Sequence, residues 1–298
     1  MASFFNKLFG NNKLASTEEK PRPDDEEDTG QMTPLSENQY KPSQFIVGCA
    51  QSVGLQRDHN EDALFTLTTN LASDDIQLPF GLYIVADGMG GHQYGEVASG
   101  LAVRAVSNTV IRKLYMPIYG TRPSSPNASI LEILNEAIQE AHQVVSREAP
   151  GGGTTMTAVL IMGEQMTVAH IGDSRAYLIT PEGEFRSLTR DHSLVKRLVE
   201  LGQITTDEAA YHPQRNVLYR ALGQGEPVEA DINTSPLPLN NLLLICSDGL
   251  WGVVPEAELL RLIQDSSSPQ EACQRMIDAA NAAGGPDNIT AILVRLPS

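Results

Sequence analysis

The sequence of 298 residues predicts an α+β fold, an antiparallel β-sandwich flanked by helices in α-β-β-α layers. Three observations predict it. Short segments rich in β-branched residues recur along the chain. Consecutive ones are often joined by glycine-containing turns, which favours antiparallel pairing. Helix-like segments arrive in pairs between runs of strands, which excludes the βαβ rhythm of a doubly wound parallel sheet.

Residues 1–43 stand apart. The stretch STEEKPRPDDEEDTGQMTPLSENQYKPS is charged, proline-containing and poor in apolar residues, the composition of a disordered linker. Ahead of it, Phe4, Phe5, Leu8 and Phe9 fall on one face of a short helix, readable as a peripheral membrane or partner anchor over residues 4–9. So short a helix is marginal on its own, which favours an inert tail. The folded domain is expected to span 44–298, with strands in QFIVGCAQS, DALFTLTT, GLYIVAD, TTMTAVLIM, QMTVAHIG, RAYLIT, EFRSLT, NLLLICS and NITAILVRL. Helices are expected at 93–115, 127–148, 193–202, 255–265 and 269–283. The first carries Val97, Leu101, Ala105 and Val110 at near-helical spacing. Pro255 and Pro269 stand at or beside the starts of the last two, where a missing N–H costs nothing.

Charge narrows the function. With 37 acidic residues against 21 basic ones, the net charge of −16 repels phosphate backbones and argues against nucleic-acid binding. Excess carboxylate is also what oxygen-ligated cation sites are made from. Cys49, Cys246 and Cys273 lie in apolar surroundings with no C-x-x-C pattern, as reduced core residues do. No apolar run reaches the roughly 18 residues of a spanning helix. Asn6 and Lys7 interrupt the N-terminal apolar residues where a signal-peptide core would lie. A cytoplasmic location is expected.

The stretch LYIVADGMGGH drives an apolar strand into Asp87 and a glycine-rich loop. Asp-Gly is a strong hairpin signal, but a helix-patterned segment follows instead of a second strand. The same posture recurs. Asp248 follows LLLICS and precedes a helix, Asp173 follows MTVAHIG, Asp287 precedes the last strand, and Glu61 and Asp62 precede an early one. Singly each reads as a turn former or cap. Together they flank core strands, and the strand ends of a sandwich gather at its two ends. Converging carboxylates repel one another unless a cation neutralises them. Oxygen-only ligands favour Mg²⁺ or Mn²⁺ over zinc or copper.

RDHNEDA, VADGMGGH, IGDSR, LTRDHSL, YRALG, CSDGLW and DNIT, in this order and spacing, resemble the metal-dependent serine/threonine protein phosphatases (type 2C, the PPM family) in their bacterial form, over about residues 44–296. That family's fold, two packed antiparallel sheets with outer helices, agrees with the reading above. The resemblance implies that Asp87 bridges two Mn²⁺ or Mg²⁺ ions, with the Gly88 carbonyl and Glu61 completing the second ion's protein shell. A backbone without a side chain would let that carbonyl approach an ion closely. Asp248 and Asp287 would hold the first ion, Asp62 would orient its water shell, and Asp173 would share a third, weaker ion with Asp248. Arg57 would grip the substrate phosphate with its planar fork. The implied reaction is in-line attack on phosphoserine or phosphothreonine by a water bridging two ions, with Asp87 and Arg57 acting most directly. Met89 stands where the eukaryotic pattern has a histidine, and His92 is the nearest substitute as acid for the leaving oxygen. His192 is expected to be a structural hydrogen-bonder, and residues 193–222 correspond to the flap beside the active site. The implied partners are phosphorylated proteins, a bacterial Ser/Thr kinase and its targets among them.

GGGTTMTAV lacks the Gly-Lys-Ser/Thr ending of a P-loop, and DGMGGHQYG has Gln93 where a dinucleotide fingerprint needs its third glycine. Two other functions share the pattern. One is a regulatory binding module with a degenerate centre, against which stands the full set of carboxylates; the other is a hydrolase of small phosphate esters. The tail supplies a first test. A chain starting near Ser43 is expected to fold, bind metal and hydrolyse a small phosphopeptide at a rate similar to the full chain. A large loss in that assay would put the tail inside the folded domain.

Overall fold

The computed structural model describes residues 44–297 except 74–75, 91–92 and 226. The expected tail with its anchor at 4–9, and His92, lie outside the described residues. The described chain begins with β1 (Ile46–Ser52), β2 (Asp62–Ser73) and β3 (Ile76–Met89). Helix α1 (Gln93–Val110) continues through a π-helical turn (Ile111–Tyr115) into α2 (Met116–Tyr119), and α3 (Ile130–Glu148) follows. Next come β4 (Gly153–Thr154), β5 (Met156–Met162), β6 (Gln165–Ile171), β7 (Arg175–Ile179) and β8 (Phe185–Ser187). Two short helices, α4 (Leu194–Glu200) and α5 (Thr206–Ala210), occupy the expected flap. Last are β9 (Asp231–Pro236), β10 (Leu242–Cys246), α6 (Asp248–Trp251), α7 (Glu256–Gln264), α8 (Pro269–Ala282) and β11 (Ile289–Arg295).

The strands pair antiparallel into two sheets. One runs β1-β11-β10-β7-β8, the other β2-β3-β5-β6-β9 with β4 added to the end of β3. Between the sheets, Tyr83, Val85, Val159, Ile161 and Val168 meet Leu178, Leu243, Ile245, Ile292 and Val294. The alternate residues of β3, Leu82 and Ile84, are buried as well. They face the helical layer, in which α1 packs on β3 and α3 on α1. Burial on both faces is why GLYIVA reads as an unbroken apolar run instead of an alternating one. On the other sheet, Leu244, Cys246, Ala291 and Leu293 pack under Leu259, Cys273, Met276 and Ile277 of α7 and α8. Each fully buried Leu or Ile contributes about 1.5–3 kcal/mol, so these layers outweigh any surface ion pair. The three cysteines are free thiols, Cys246 and Cys273 buried and Cys49 half-buried.

The α+β sandwich is the architecture the sequence predicts, and its departures are local. The helix expected from residue 127 starts at Ile130. Ser129 starts it with a capping box: its N–H donates to Glu132 Oε2 at 2.8 Å, and the Glu132 N–H donates to Ser129 Oγ at 3.3 Å. Strands β2 and β3 run well past the expected pair and form a long hairpin. Pro79 is tolerated there because the β5 pairing stops at Phe80. Strand β9 was not expected, since DINTSP has no apolar alternation. It is an edge strand that pairs with β6 alone, so it buries little and accepts Pro236 at its end. Among the described residues no helix is long and apolar enough to cross a membrane.

The contact between β1 and α8 rests on a missing side chain. A Cβ at Gly48 would lie 2.2 Å from backbone atoms of Pro269 and Gln270, where α8 begins. Gly48→Ala is therefore expected to destabilise the domain by about 1–3 kcal/mol, as overpacking does. Denaturant unfolding measures it; an unchanged midpoint would show that the helix does not sit this close.

Candidate functional site

Antiparallel pairing decides where the acidic residues meet. Asp62 opens β2 and Asp87 lies near the close of β3, and the two are direct cross-strand partners. Asp173 sits in the turn between β6 and β7, Asp248 opens α6 just after the end of β10, and Asp287 shortly precedes β11. These chain ends surround one cavity of about 410 Å³, lined by Glu61, Asp87, Gly88, Asp173, Asp248 and Asp287. Gln56, Arg57, Asp58 and His59 form part of its wall, and Asn216 and Leu218 of the flap segment add to it. Asp62 is not part of the lining but lies buried, 8% exposed.

Each carboxylate is fastened by its own neighbourhood. The Asp87 N–H donates to Thr155 Oγ1 at 2.9 Å, and the Asp87 carbonyl accepts from Thr154 Oγ1 at 2.8 Å. Thr155 Oγ1 in turn meets Ser174 Oγ at 2.7 Å, beside Asp173. The Asp173 carbonyl accepts Trp251 Nε1–H at 3.1 Å, and the Trp251 ring carries the Arg175 guanidinium 3.5 Å from its centre. Asp62 Oδ2 accepts two hydroxyls from the opposite sheet, Ser247 Oγ at 2.7 Å and Thr290 Oγ1 at 2.6 Å. Arg57, at the cavity wall, holds Asp287 Oδ2 through Nη2 at 2.7 Å. Leu55 and Gln56 N–H groups both donate to the Gly285 carbonyl and fix the loop that carries Arg57.

Gly88 has a packing reason for its missing side chain besides the one the sequence suggests. A Cβ there would lie 2.2 Å from the Gly95 carbonyl oxygen and 2.6 Å from that of Glu61. The glycine thus lets the first turn of α1 and the Glu61 backbone close on β3. His192 matches expectation. It is buried, its Nδ1 accepts the Gly172 N–H at 3.2 Å and its Nε2–H donates to Asp231 at 3.2 Å. Thr154, Thr155, Ser247 and Thr290 escaped the sequence reading; their one signal was a polar residue at the end of an apolar strand.

Burial and mutual repulsion set the electrostatics. Burial pushes the Asp62 carboxyl up to about 7; the Thr290 and Ser247 hydroxyls oppose this, while the charges of Asp248 and Asp287 add to it. Asp248 is pushed up to about 6 by burial and then by Asp287. Asp87 stands well above the usual carboxylate range, through burial first and then the charges of Asp62, Asp248, Asp173 and Asp287. Asp173 does too, through burial and the charges of Asp248 and Asp191, with Arg175 opposing. Among the described residues two buried carboxylate oxygens, Asp62 Oδ1 and Asp248 Oδ1, have no hydrogen-bond partner. An unpartnered buried acceptor costs about 1–3 kcal/mol. Among the described residues no three of these side chains already converge on one point at ligand distance. Orphaned oxygens in an all-oxygen, mutually repelling set fit a hard divalent cation.

A helix-flanked antiparallel sandwich with an acidic, oxygen-lined cavity at one end suits a metal-dependent hydrolase. Known proteins agree. The protein phosphatase 2C family model matches residues 56–293. The serine/threonine phosphatase stp of Listeria innocua is 37% identical over 241 residues, covering 81% of this chain and 92% of that protein. The crystal structure of the Mycobacterium tuberculosis serine/threonine phosphatase PstP/Ppp superposes with a TM-score of 0.70 at 32% identity, covering 86% of this chain and 100% of that one. The catalytic domain of PstP solved in complex with two manganese ions gives 0.68 at 31% identity, with 86% and 100% covered. This chain belongs to the protein phosphatase 2C family, and it is a metal-dependent protein serine/threonine phosphatase of the bacterial type.

The raised carboxylates give a pH prediction with a definite sign. Carboxyls at about 6 and about 7 hold protons below those values. A cation held by Asp248, with Asp62 beside its water, would favour the deprotonated forms of both, so loading would release protons and affinity would rise with pH through that range. Calorimetric titration with Mn²⁺ at pH 6 in two buffers of different ionisation heat measures the release; identical enthalpies in both would contradict a cation site at these carboxylates. Stability alone is a poorer readout. Buried His170, pushed down to about 4, makes stability rise with pH where the carboxylates make it fall.

Proposed function

We propose that Asp87, Asp248, Asp287, Glu61 and the Gly88 carbonyl hold two Mn²⁺ or Mg²⁺ ions, that Asp62 orients their water, and that Asp173 with Asp248 takes a third, weaker ion. The observation that carries this reading is the pair of buried, unpartnered oxygens, Asp62 Oδ1 and Asp248 Oδ1, beside a cavity ringed by carboxylates. The two manganese ions in the PstP catalytic domain support the count. Bound divalent ions supply Lewis acidity, acidifying water and neutralising charge on phosphate oxygens.

The chain's own groups do the rest. Arg57 is the phosphate grip. Its guanidinium is 45% exposed and its contact with Asp287 is a near-surface pair, worth about 0–1 kcal/mol. Charge-assisted hydrogen bonds to a phosphate are worth about 1.5–3 kcal/mol, so the side chain exchanges Asp287 for substrate at little cost. The flap closes the other wall. Leu194 N–H donates to the Val217 carbonyl and Tyr219 N–H to that of His192, an antiparallel bridge whose alternation turns Asn216 and Leu218 toward the cavity. Substrates are phosphoserine and phosphothreonine proteins, for which we propose a bacterial Ser/Thr kinase and its targets. The free thiols Cys49, Cys246 and Cys273 fit a reducing cytoplasm as the location. His92 stays the sequence-based candidate for leaving-group acid.

Phosphate release from phosphothreonine and phosphotyrosine peptides, with Mn²⁺ and with EDTA, tests the reading. Cleavage of the phosphothreonine peptide that needs the metal is expected; full turnover in excess EDTA would falsify it. Asp87→Asn is expected to remove nearly all activity with the fold intact. Arg57→Ala is expected to lower kcat/KM by about 10–100-fold, the loss of one such contact, while Mn²⁺ affinity stays near that of the unmodified chain. A parallel loss of metal binding would assign Arg57 to the metal site instead.

A further inference from the structure

Asn288 lines the same cavity, yet its side-chain amide is fully engaged with the protein. The residue is 5% exposed. Its Oδ1 accepts the Glu61 N–H at 2.8 Å. Its Nδ2 donates to the Val53 carbonyl at 2.8 Å and to the His59 carbonyl at 2.9 Å. This orientation of the amide is forced, because the flipped one would set donors against the Glu61 N–H and an acceptor against two carbonyls. The Asn288 backbone N–H also donates to Asp287 Oδ1 at 2.8 Å.

The partners give these bonds their meaning. Val53 and His59 bracket the loop that carries Arg57, so one NH₂ group holds both ends of the phosphate grip. Glu61 is pinned through both of its peptide groups. Its carbonyl accepts Gly88 N–H at 3.1 Å and Ser99 Oγ at 2.5 Å, which ties it to β3 and α1. Its N–H belongs to Asn288, which ties it to the loop of Asp287. Asn288 enters β11 of one sheet and Glu61 enters β2 of the other, so the amide closes the gap between the two sheets at the cavity. Two residues on, Thr290 reaches across the same gap to Asp62.

We propose that Asn288 is a positioning residue, one that sets the Glu61 ligand and the Arg57 loop in register with Asp287. The inference rests on the metal and phosphate roles proposed above. It makes metal affinity and substrate affinity depend on one uncharged side chain, through separable bonds. Oδ1 serves the metal side through Glu61, and Nδ2 serves the substrate side through the loop from 53 to 59.

The separation gives the test. Mn²⁺ affinity is measured by calorimetry without substrate, and KM and kcat with a phosphothreonine peptide, at a temperature where each variant is folded by circular dichroism. Removing a residue that orients ligands typically costs about 10–100-fold in metal affinity. Asn288→Ala is expected to weaken Mn²⁺ binding by that order and to raise KM. Asn288→Asp keeps an acceptor for the Glu61 N–H, loses both donors and adds a negative charge beside Asp287, so KM should rise about tenfold, while Mn²⁺ affinity should not fall as it does in Asn288→Ala. Gly48→Ala, remote from the cavity, should lower the melting temperature and change neither constant. Asn288 variants that lose stability but keep both constants would make the residue a structural staple and overturn the proposal. If Asn288→Ala does not fold, an unchanged KM in Asn288→Asp overturns it alone. An unmodified chain that binds no Mn²⁺ would refute the ligand assignment itself, a different outcome from unchanged constants in the variants.

Discussion

Like charges confined in a dry place are the constraint on which this molecule depends. Asp62, Asp87, Asp173 and Asp248 are brought together at the end of an apolar sandwich, where burial and repulsion disfavour every ionised form. Displacing a buried carboxyl from its ordinary value up to about 7, as at Asp62, corresponds to a few kcal/mol in order of magnitude. A domain is stable by only about 5–15 kcal/mol. The layers around Tyr83, Ile245 and Met276 must therefore carry a centre that works against folding until a cation is supplied.

The polar ties between the sheets follow from that constraint. Repulsion would spread the strand ends apart, and hydrogen bonds across the gap oppose it. Ser247 and Thr290 hold one oxygen of Asp62, leaving the other without a partner. Thr154 and Thr155 fasten the Asp87 backbone, and Trp251 fastens that of Asp173. In each case the protein satisfies the backbone or one carboxylate oxygen and leaves charge facing inward. The scaffold is tied by hydrogen bonds around the carboxylates. It is lighter at the substrate wall, where two short helices and a two-strand bridge form the flap.

The sequence carried the fold and the acidic residues because both are local signals. A run such as GLYIVAD shows a buried strand and its terminal carboxylate together, and seven motifs in order tied these ends to one family. What it did not carry is long-range. Asn288 meets Glu61 across 227 positions and Ser247 meets Asp62 across 185, distances over which no spacing rule operates. Strand β9 hid because an edge strand needs no apolar alternation. A further reason for Gly88 was hidden for the same cause, since its neighbour Gly95 is close only after α1 folds back on β3.

The central claim is that the unpartnered oxygens face cations. Anomalous diffraction from crystals grown with Mn²⁺ tests it most directly. Two strong peaks in the cavity are predicted, both in contact with Asp87 and one of them with Asp248. Manganese found only outside this cavity, with Asp87 and Asp248 touching no ion, would contradict the account.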